Sequence, residues 1–241
     1  MLKTSDIKQL LVDKYKNNEF RITKNGVKTV ELQGIQFEAD ADYILREPNY
    51  DYAKREIEWY ISQSLNVNDI PGNTPAIWLN CADVNGDINS NYGWMIWSKE
   101  NGSQYNNCLY QLINDPATRQ AVMIYNRPSM YVDAYSNMKH DFCCTYSVQC
   151  FLNPVFKKYE DEIPLPAGMS PDVESYTLDY HVFMRSHDAV FGYNNDVLWH
   201  KYVHESMVND MKEIGMNVEL GKIIWNAGSL HVYERHFKFL K

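Results

Sequence analysis

The sequence predicts an α+β fold, on three observations. Apolar residues recur at helical spacing in some stretches and in strand-like order in others. The two kinds of stretch mix without the strict strand–helix alternation of a doubly wound sheet. Hydrophobic residues make up 45% of the 241-residue chain, enough for a sizeable core and unlike a disordered composition.

Each element follows from local pattern. Residues 1–20 read as an amphipathic helix carrying Ile7, Leu10, Leu11 and Tyr15, with Thr4 or Ser5 as its cap. A turn at Arg21–Gly26 leads into a predicted strand over Val27–Phe37, with Val30, Leu32, Ile35 and Phe37. Asp51–Leu65 is predicted helical, and Glu56 and Trp59, three apart, occupy neighbouring surface on it. Residues 66–92, punctuated by Pro71-Gly72 and Pro75, read as loop. Gly102–Asn114 is a helix stopped by Asp115-Pro116. Ala121–Tyr125 and Phe142–Leu152 read as strands; if extended, the second puts Cys144, Tyr146, Val148 and Cys150 on one face.

Residues 153–174 hold Pro154, Pro164, Pro166 and Pro171 amid mixed charge. They are predicted to be a surface excursion from a single domain spanning 1–241, because strand signals resume at Tyr176–Met184. Asn195–Ile214 is a helix that Gly215 ends. Leu220–Trp225 is the last predicted strand, and His231–Phe239 reads as helical. No internal repeat or low-complexity tract is present.

Composition narrows the function. A net charge of −8 argues against nonspecific duplex binding, which runs on Lys and Arg neutralising phosphates. The 18 tyrosines and 6 tryptophans suit flat, amphipathic pocket walls. The five cysteines include no CxxC pair, and Cys143 and Cys144 are adjacent, a poor disulfide geometry. With no secretory signal and no apolar run near the ~20 residues a membrane span needs, a soluble cytoplasmic protein with reduced thiols is expected. His200 and His204 share a helix face at a spacing zinc sites use, but no Glu lies between them, and a solvated face is expected rather than a metal. Lys24, Arg119, Arg127 and Arg185 fall near predicted strand ends or turns, where a phosphate can be met, although each alone is an ordinary surface charge. Composition does not single out Cys144 from the other cysteines.

Several segments, taken in order, carry more. They are Arg55-Glu-Ile-Glu-Trp59, Asn89-Ser-Asn-Tyr-Gly-Trp94, Asp115-Pro-Ala-Thr-Arg119, Asp141-Phe-Cys-Cys-Thr145, Arg185-Ser-His-Asp188 with Phe191-Gly192, and Ile224-Trp-Asn-Ala-Gly-Ser-Leu-His-Val-Tyr233. Together they resemble the thymidylate synthase and pyrimidine hydroxymethylase family over most of the chain. Gly26-Val-Lys-Thr29, Arg127-Pro-Ser-Met130 and Gly228 to His236 are similar to its hydroxymethylase branch. The resemblance implies a large mixed sheet with flanking helices, one sheet face forming a homodimer interface, in a host-cell cytoplasm if phage-encoded.

It also implies roles. Cys144 is the expected nucleophile and Glu56 the carboxylate that moves protons through ordered water. Arg185 and Ser186 are expected on the phosphate, with Lys24 where synthases usually have an arginine. Arg119 is expected to reach the other subunit's site. His231 and Tyr233 are expected to hold the deoxyribose 3′-hydroxyl. Asp188 and Gly192 lie where the family meets folate and base, so Asp188 is also counted as catalytic, and Trp78 and Tyr92 are expected on the folate side.

The chemistry suits these residue types. C5 of a pyrimidine is a poor nucleophile, and thiolate addition at C6 makes it enamine-like. It can then take a one-carbon unit from 5,10-methylenetetrahydrofolate. Neighbouring arginines are expected to lower the Cys144 pKa. Asp196 aligns where synthases usually have Asn; a carboxyl accepts from the N4 amino group of cytosine, which implies dCMP as substrate. The competing reading of Asp196 is a helix-start residue favoured by the dipole. The expected products are 5-hydroxymethyl-dCMP and tetrahydrofolate, with no metal. A thymidylate synthase, a dUMP hydroxymethylase and a catalytically weak nucleotide- or RNA-binding homologue are the alternatives. Gln120 stands where a second consecutive arginine is usual. Residues 153–174 are longer than the matching turn, and the sequence ends at Lys241, before the segment that closes over the folate in family members.

Overall fold

The computed structural model describes residues 1–23, 26–136, 138–157 and 172–241. Among them, one mixed sheet runs β1 (Arg21–Ile22), β2 (Lys28–Glu38), β7 (Val218–Tyr233), β5 (Val173–Met184), β4 (Thr145–Phe156), β3 (Val122–Ile124), with β6 (His187–Asp188) also paired to β7. The helices are α1 (Thr4–Lys16), α2 (Tyr50–Ser62), α3 (Ala76–Cys81), α4 (Tyr92–Trp97), α5 (Gln104–Asn114), α6 (Ser129–Ser136) and α7 (Gly192–Glu213). The α+β expectation therefore holds. Neighbouring strands are antiparallel except that β5 and β6 run parallel to β7.

Helix α7 packs on one face of the sheet. Its Val203, Met207 and Met211 are fully buried, and Met207 Sδ lies 3.8 Å from Cys150 Sγ on β4. Trp199 on α7 meets Tyr60 of α2 and Trp97 of α4 edge-on, with ring centroids 5.0 and 5.5 Å apart. These rings lock α2 and α4 onto the sheet-bound helix. Strand alternation then turns Phe151 and His181 to the other face. They contact one another at 5.0 Å and stay only half-buried.

Several expectations change. α1 is shorter than residues 1–20, and Thr4 and Ser5 do not cap it: Lys3 is the cap residue, and its backbone N–H donates to Asp6 Oδ2 at 2.8 Å. Residues 66–92 are loop for most of their length, as expected, but α3 and a 3₁₀ turn at Val67–Asp69 lie within them and α4 begins at Tyr92. The last strand is Val218–Tyr233, and His231 belongs to it; only Glu234–Leu240 is helical, as a 3₁₀ segment. The predicted excursion shrinks, since 153–156 and 173–174 extend β4 and β5 as paired strands, with Asn153 opposite Thr177. Residues 158–171 lie outside the described residues, as does Lys24.

Cys144, Tyr146, Val148 and Cys150 do not share a face. A register shift between Thr145 and Ser147 inserts a bulge, so Thr145 and Val148 are buried while Tyr146 is exposed. His200 and His204 are buried rather than solvated. His204 Nε2 bonds Leu178 O at 2.6 Å, and His200 Nδ1 lies 3.3 Å from the Tyr180 hydroxyl. Among the described residues no cluster of three His, Cys, Asp or Glu forms a metal site, and no helix is long and apolar enough to cross a membrane.

Candidate active site

The loop entering β4, the β5–α7 connection, the end of β7 and helices α2 and α3 surround one cavity of about 940 Å³. It lies at the upper end of the roughly 300–1,000 Å³ usual for small-molecule sites.

Cys144 sits one residue before β4, on a tied backbone. Its carbonyl accepts from Arg185 N at 2.8 Å. The Arg185 guanidinium donates from Nε to Cys143 O at 3.0 Å and from Nη2 to Phe142 O at 2.5 Å, over the Phe142 ring. Five donors leave this arginine capacity for a ligand as well. Buried Asp141 ties the same loop to the start of α4: it accepts from Asn89 N at 2.7 Å, Ser90 N at 2.6 Å and Ser90 Oγ at 2.5 Å. That cage gives the Asn89–Trp94 segment its structural reason. The expected fall in the thiol pKa is not seen. Burial pushes Cys144 up to about 11; Arg185 lowers it, while Asp196 and Asp141 add to the rise.

Glu56 is buried on α2. Its Oε1 accepts from the Tyr52 hydroxyl one helical turn back and from Trp78 Nε1 at 2.9 Å. Burial pushes its carboxyl up to about 7, the Tyr52 and Trp78 donors pull it down, and Asp196 raises it further. Trp78 thus faces the carboxylate as well as the cavity.

Asp196 is not a helix-start residue. α7 begins at Gly192, and Asp196 Oδ2 lies 2.8 Å from His187 Nε2, whose other ring nitrogen accepts from Trp225 Nε1 at 3.2 Å. A Cβ on Gly192 would lie 3.4 Å from His187 Cδ2, so the start of α7 runs directly beside β6. β6 pairs Asp188 with His231 on β7. Asp188 Oδ1 accepts from Val190 N at 2.8 Å. His231 is buried, its pKa lowered by that burial, and it meets the Tyr233 ring edge-on at 4.7 Å. Tyr92 is buried at the cavity wall, stacked on Tyr60, and its hydroxyl accepts from Thr145 Oγ1 at 3.1 Å.

Ser186 lines the cavity too, so of the expected site residues that the structure describes all are there except Arg119. Arg119 is exposed outside it, its carbonyl accepting from Gln149 Nε2 at 3.0 Å. Sequence reasoning missed Tyr52 and His187. The first was legible as the residue four before Glu56 on the same helix. The second sat inside the Arg185–Asp188 segment, but its partner Trp225 is distant in sequence and only the sheet brings them together.

Comparison with known proteins bears on the family and the fold. The family model for thymidylate synthase matches residues 6–241. A deoxycytidylate 5-hydroxymethyltransferase of Enterobacteria phage T4 is 44% identical over 224 residues, covering 92% of this chain and 82% of that relative. A thymidylate synthase of Buchnera aphidicola is 24% identical over 191 residues, 77% of this chain and 61% of the other. The solved thermostable thymidylate synthase A from Bacillus subtilis superposes with a TM-score of 0.67 at 21% identity, over 98% of this chain and 82% of that one, which speaks for the fold.

Proposed function

From the premise that this chain belongs to the thymidylate synthase family, we propose that it is a deoxycytidylate 5-hydroxymethyltransferase, moving a one-carbon unit from 5,10-methylenetetrahydrofolate to C5 of dCMP and hydrating it. One observation carries the reading: a thiol, a buried carboxylate of raised pKa and a second carboxylate meet in a single cavity with an arginine and a histidine. The cavity's size suits a nucleotide and a second flat heterocycle together, and Trp78, Tyr92 and Phe191 give it aromatic walls.

In this reading Cys144 adds to C6 of the ring, which makes C5 nucleophilic. Arg185 has two tasks: it fixes the cysteine loop through Phe142 O and Cys143 O, and it meets the phosphate beside Ser186. Burial makes the Cys144 thiolate a minor species in the free chain, and Arg185 is the neighbour that favours it. Glu56, poised near neutrality, exchanges protons with the ring and with the water that completes the product. His231 and Tyr233 hold the 3′-hydroxyl, and Asp196 accepts from the exocyclic amine of cytosine. The folate, as co-substrate, supplies the one-carbon unit; Trp78, Tyr92, Asp188 and Gly192 would hold it. Lys24 adds charge at the phosphate. Arg119, exposed and outside its own cavity, reaches the site of a second copy in a homodimer, for which the half-buried sheet face carrying Phe151 and His181 is the interface.

The test is incubation of the protein with dCMP or dUMP and 5,10-methylenetetrahydrofolate, with mass identification of both nucleotide and folate products. Hydroxymethyl-dCMP with tetrahydrofolate is expected. Product from dUMP alone overturns the base assignment, dihydrofolate makes it a synthase, and no product from either returns weight to a binding protein.

A further inference from the structure

The roles given so far leave two buried members of one polar chain, Trp225 and His187, without a task. The chain runs Trp225, His187, Asp196, and its last member opens onto the cavity. An indole N–H only donates, so the 3.2 Å contact from Trp225 Nε1 makes His187 Nδ1 an acceptor without a proton. The neutral ring then carries its proton on Nε2, which points at Asp196 Oδ2 from 2.8 Å. The imidazole cannot swing, because it is fully buried and stacked on Trp225 at 5.1 Å and 16°. Gly192 packs beside the ring, where a Cβ would lie in ordinary van der Waals contact, 3.4 Å from His187 Cδ2 and 3.6 Å from Nε2. A fixed donor therefore occupies one oxygen of Asp196, and Oδ1 is left for a ligand.

We propose that His187 is a specificity-determining positioning residue for the base. Its immobile Nε2–H holds Asp196 so that an acceptor, and never a donor, faces the pyrimidine. That arrangement selects an exocyclic amine at C4 and rejects a carbonyl there, which would leave two acceptors opposed. The inference rests on the reading of the cavity as a pyrimidine-nucleotide site. It has a sharper corollary. With Asn at position 196, the same histidine proton would engage the amide oxygen and turn the amide nitrogen to the base. The preference would then invert toward a C4 carbonyl. Without the histidine donor the amide can flip, and the inversion is lost.

The experiment measures dCMP and dUMP dissociation constants and kcat/KM for wild type, H187F, H187Q, D196N and the H187F/D196N double variant. The phenyl ring keeps the stack on Trp225 but donates nothing; the Gln amide keeps both an acceptor and a donor. H187F is expected to lower dCMP-over-dUMP discrimination about tenfold or more, the worth of one hydrogen bond to a charged group. H187Q recovers most of it. D196N inverts the preference, and the double variant shows little preference, a coupling between the two positions that a purely structural histidine would not produce. Unchanged discrimination in a folded, dCMP-binding H187F overturns the inference while wild-type selectivity leaves the functional reading standing. If wild type binds neither nucleotide, both fall together. Should H187F fail to fold, ¹⁵N NMR of the His187 ring in wild type decides: a proton on Nε2 alone supports the inference, and a protonated Nδ1 overturns it.

Discussion

Glu56 combines burial with two donors on one oxygen, and that combination predicts linked changes in rate and stability. Its carboxyl is pushed from 4.5 to about 7. A raised carboxyl contributes stability that is fully present below the unfolded value and is lost as pH rises through the folded one. Glu56→Gln should therefore stabilise the protein above pH 7, on the order of 2–3 kcal/mol, seen as a higher Tm at pH 8 with little change at pH 4.5. The same variant should lose roughly 10²–10⁴ in kcat. A variant that is slower but no more stable at pH 8 would put the carboxyl in a wetter place than described. Trp78→Phe removes the indole donor that favours the ionised form, so the acid limb of the kcat/KM profile should move to higher pH. Cys144→Ser should abolish product formation while dCMP still binds in equilibrium dialysis. At this scale residue types were legible in the sequence through the family pattern, but their energetics were not. Neighbouring charge alone predicts a lowered Cys144 pKa, and burial reverses it.

Among the elements, α4 is the one most dependent on a single atom count. A Cβ on Gly93 would stand 1.8 Å from the Tyr60 carbonyl on α2, a backbone atom that cannot step aside. Gly93→Ala should cost on the order of 3 kcal/mol and lower Tm, measurable by urea titration. An unchanged midpoint would mean α2 and α4 pack more loosely than the structure has them. The short α4 was hidden from the sequence because its Gly and turn-like flanks, Asn89-Ser-Asn91, read as loop; the caging of Asp141 that uses them is a contact 51 residues away. β7 was underestimated for a related reason. Asn226, Gly228 and Ser229 interrupt its apolar run, yet the antiparallel ladder with β2 continues past them, pairing Gln33 with Ser229 and Thr29 with Tyr233. Long helices and the strand at β5 were plain because period alone specifies them. The bulge at Thr145–Ser147 was not, because an inserted residue leaves no mark in hydropathy.

Across the whole molecule, the buried histidines set the acid limit. Burial holds His200 down at about 3 from 6.5, so its contribution to stability is present above 6.5 and is lost as pH falls through that interval. Protonation of Glu56 opposes part of this loss between about 7 and 4.5. The difference between wild type and His200→Gln isolates the histidine: the variant should lose less stability between pH 6.5 and 4 in urea titrations, and parallel curves would mean His200 charges without unfolding. The α+β class was legible at this scale, since it follows from element types alone. The cavity was legible only through the family pattern, because convergence of Glu56, Cys144, Asp196 and His231 belongs to the sheet order, which no local pattern encodes.

The sheet order also has a temporal side. β7 is flanked by β2 on one edge and by β5 and β6 on the other, and it supplies Trp225, His231 and Tyr233. Amides shared by two ladders exchange with solvent only in the rarest openings. In deuterium exchange the middle of β7 should be the slowest region of the chain, and α3 and the 3₁₀ segment Glu234–Leu240 among the fast ones. The cavity would then have a floor that keeps its shape for as long as the protein stays folded and a rim that breathes. Discrimination among bases is a property of the slow part, and admission of a second ligand is a property of the fast part.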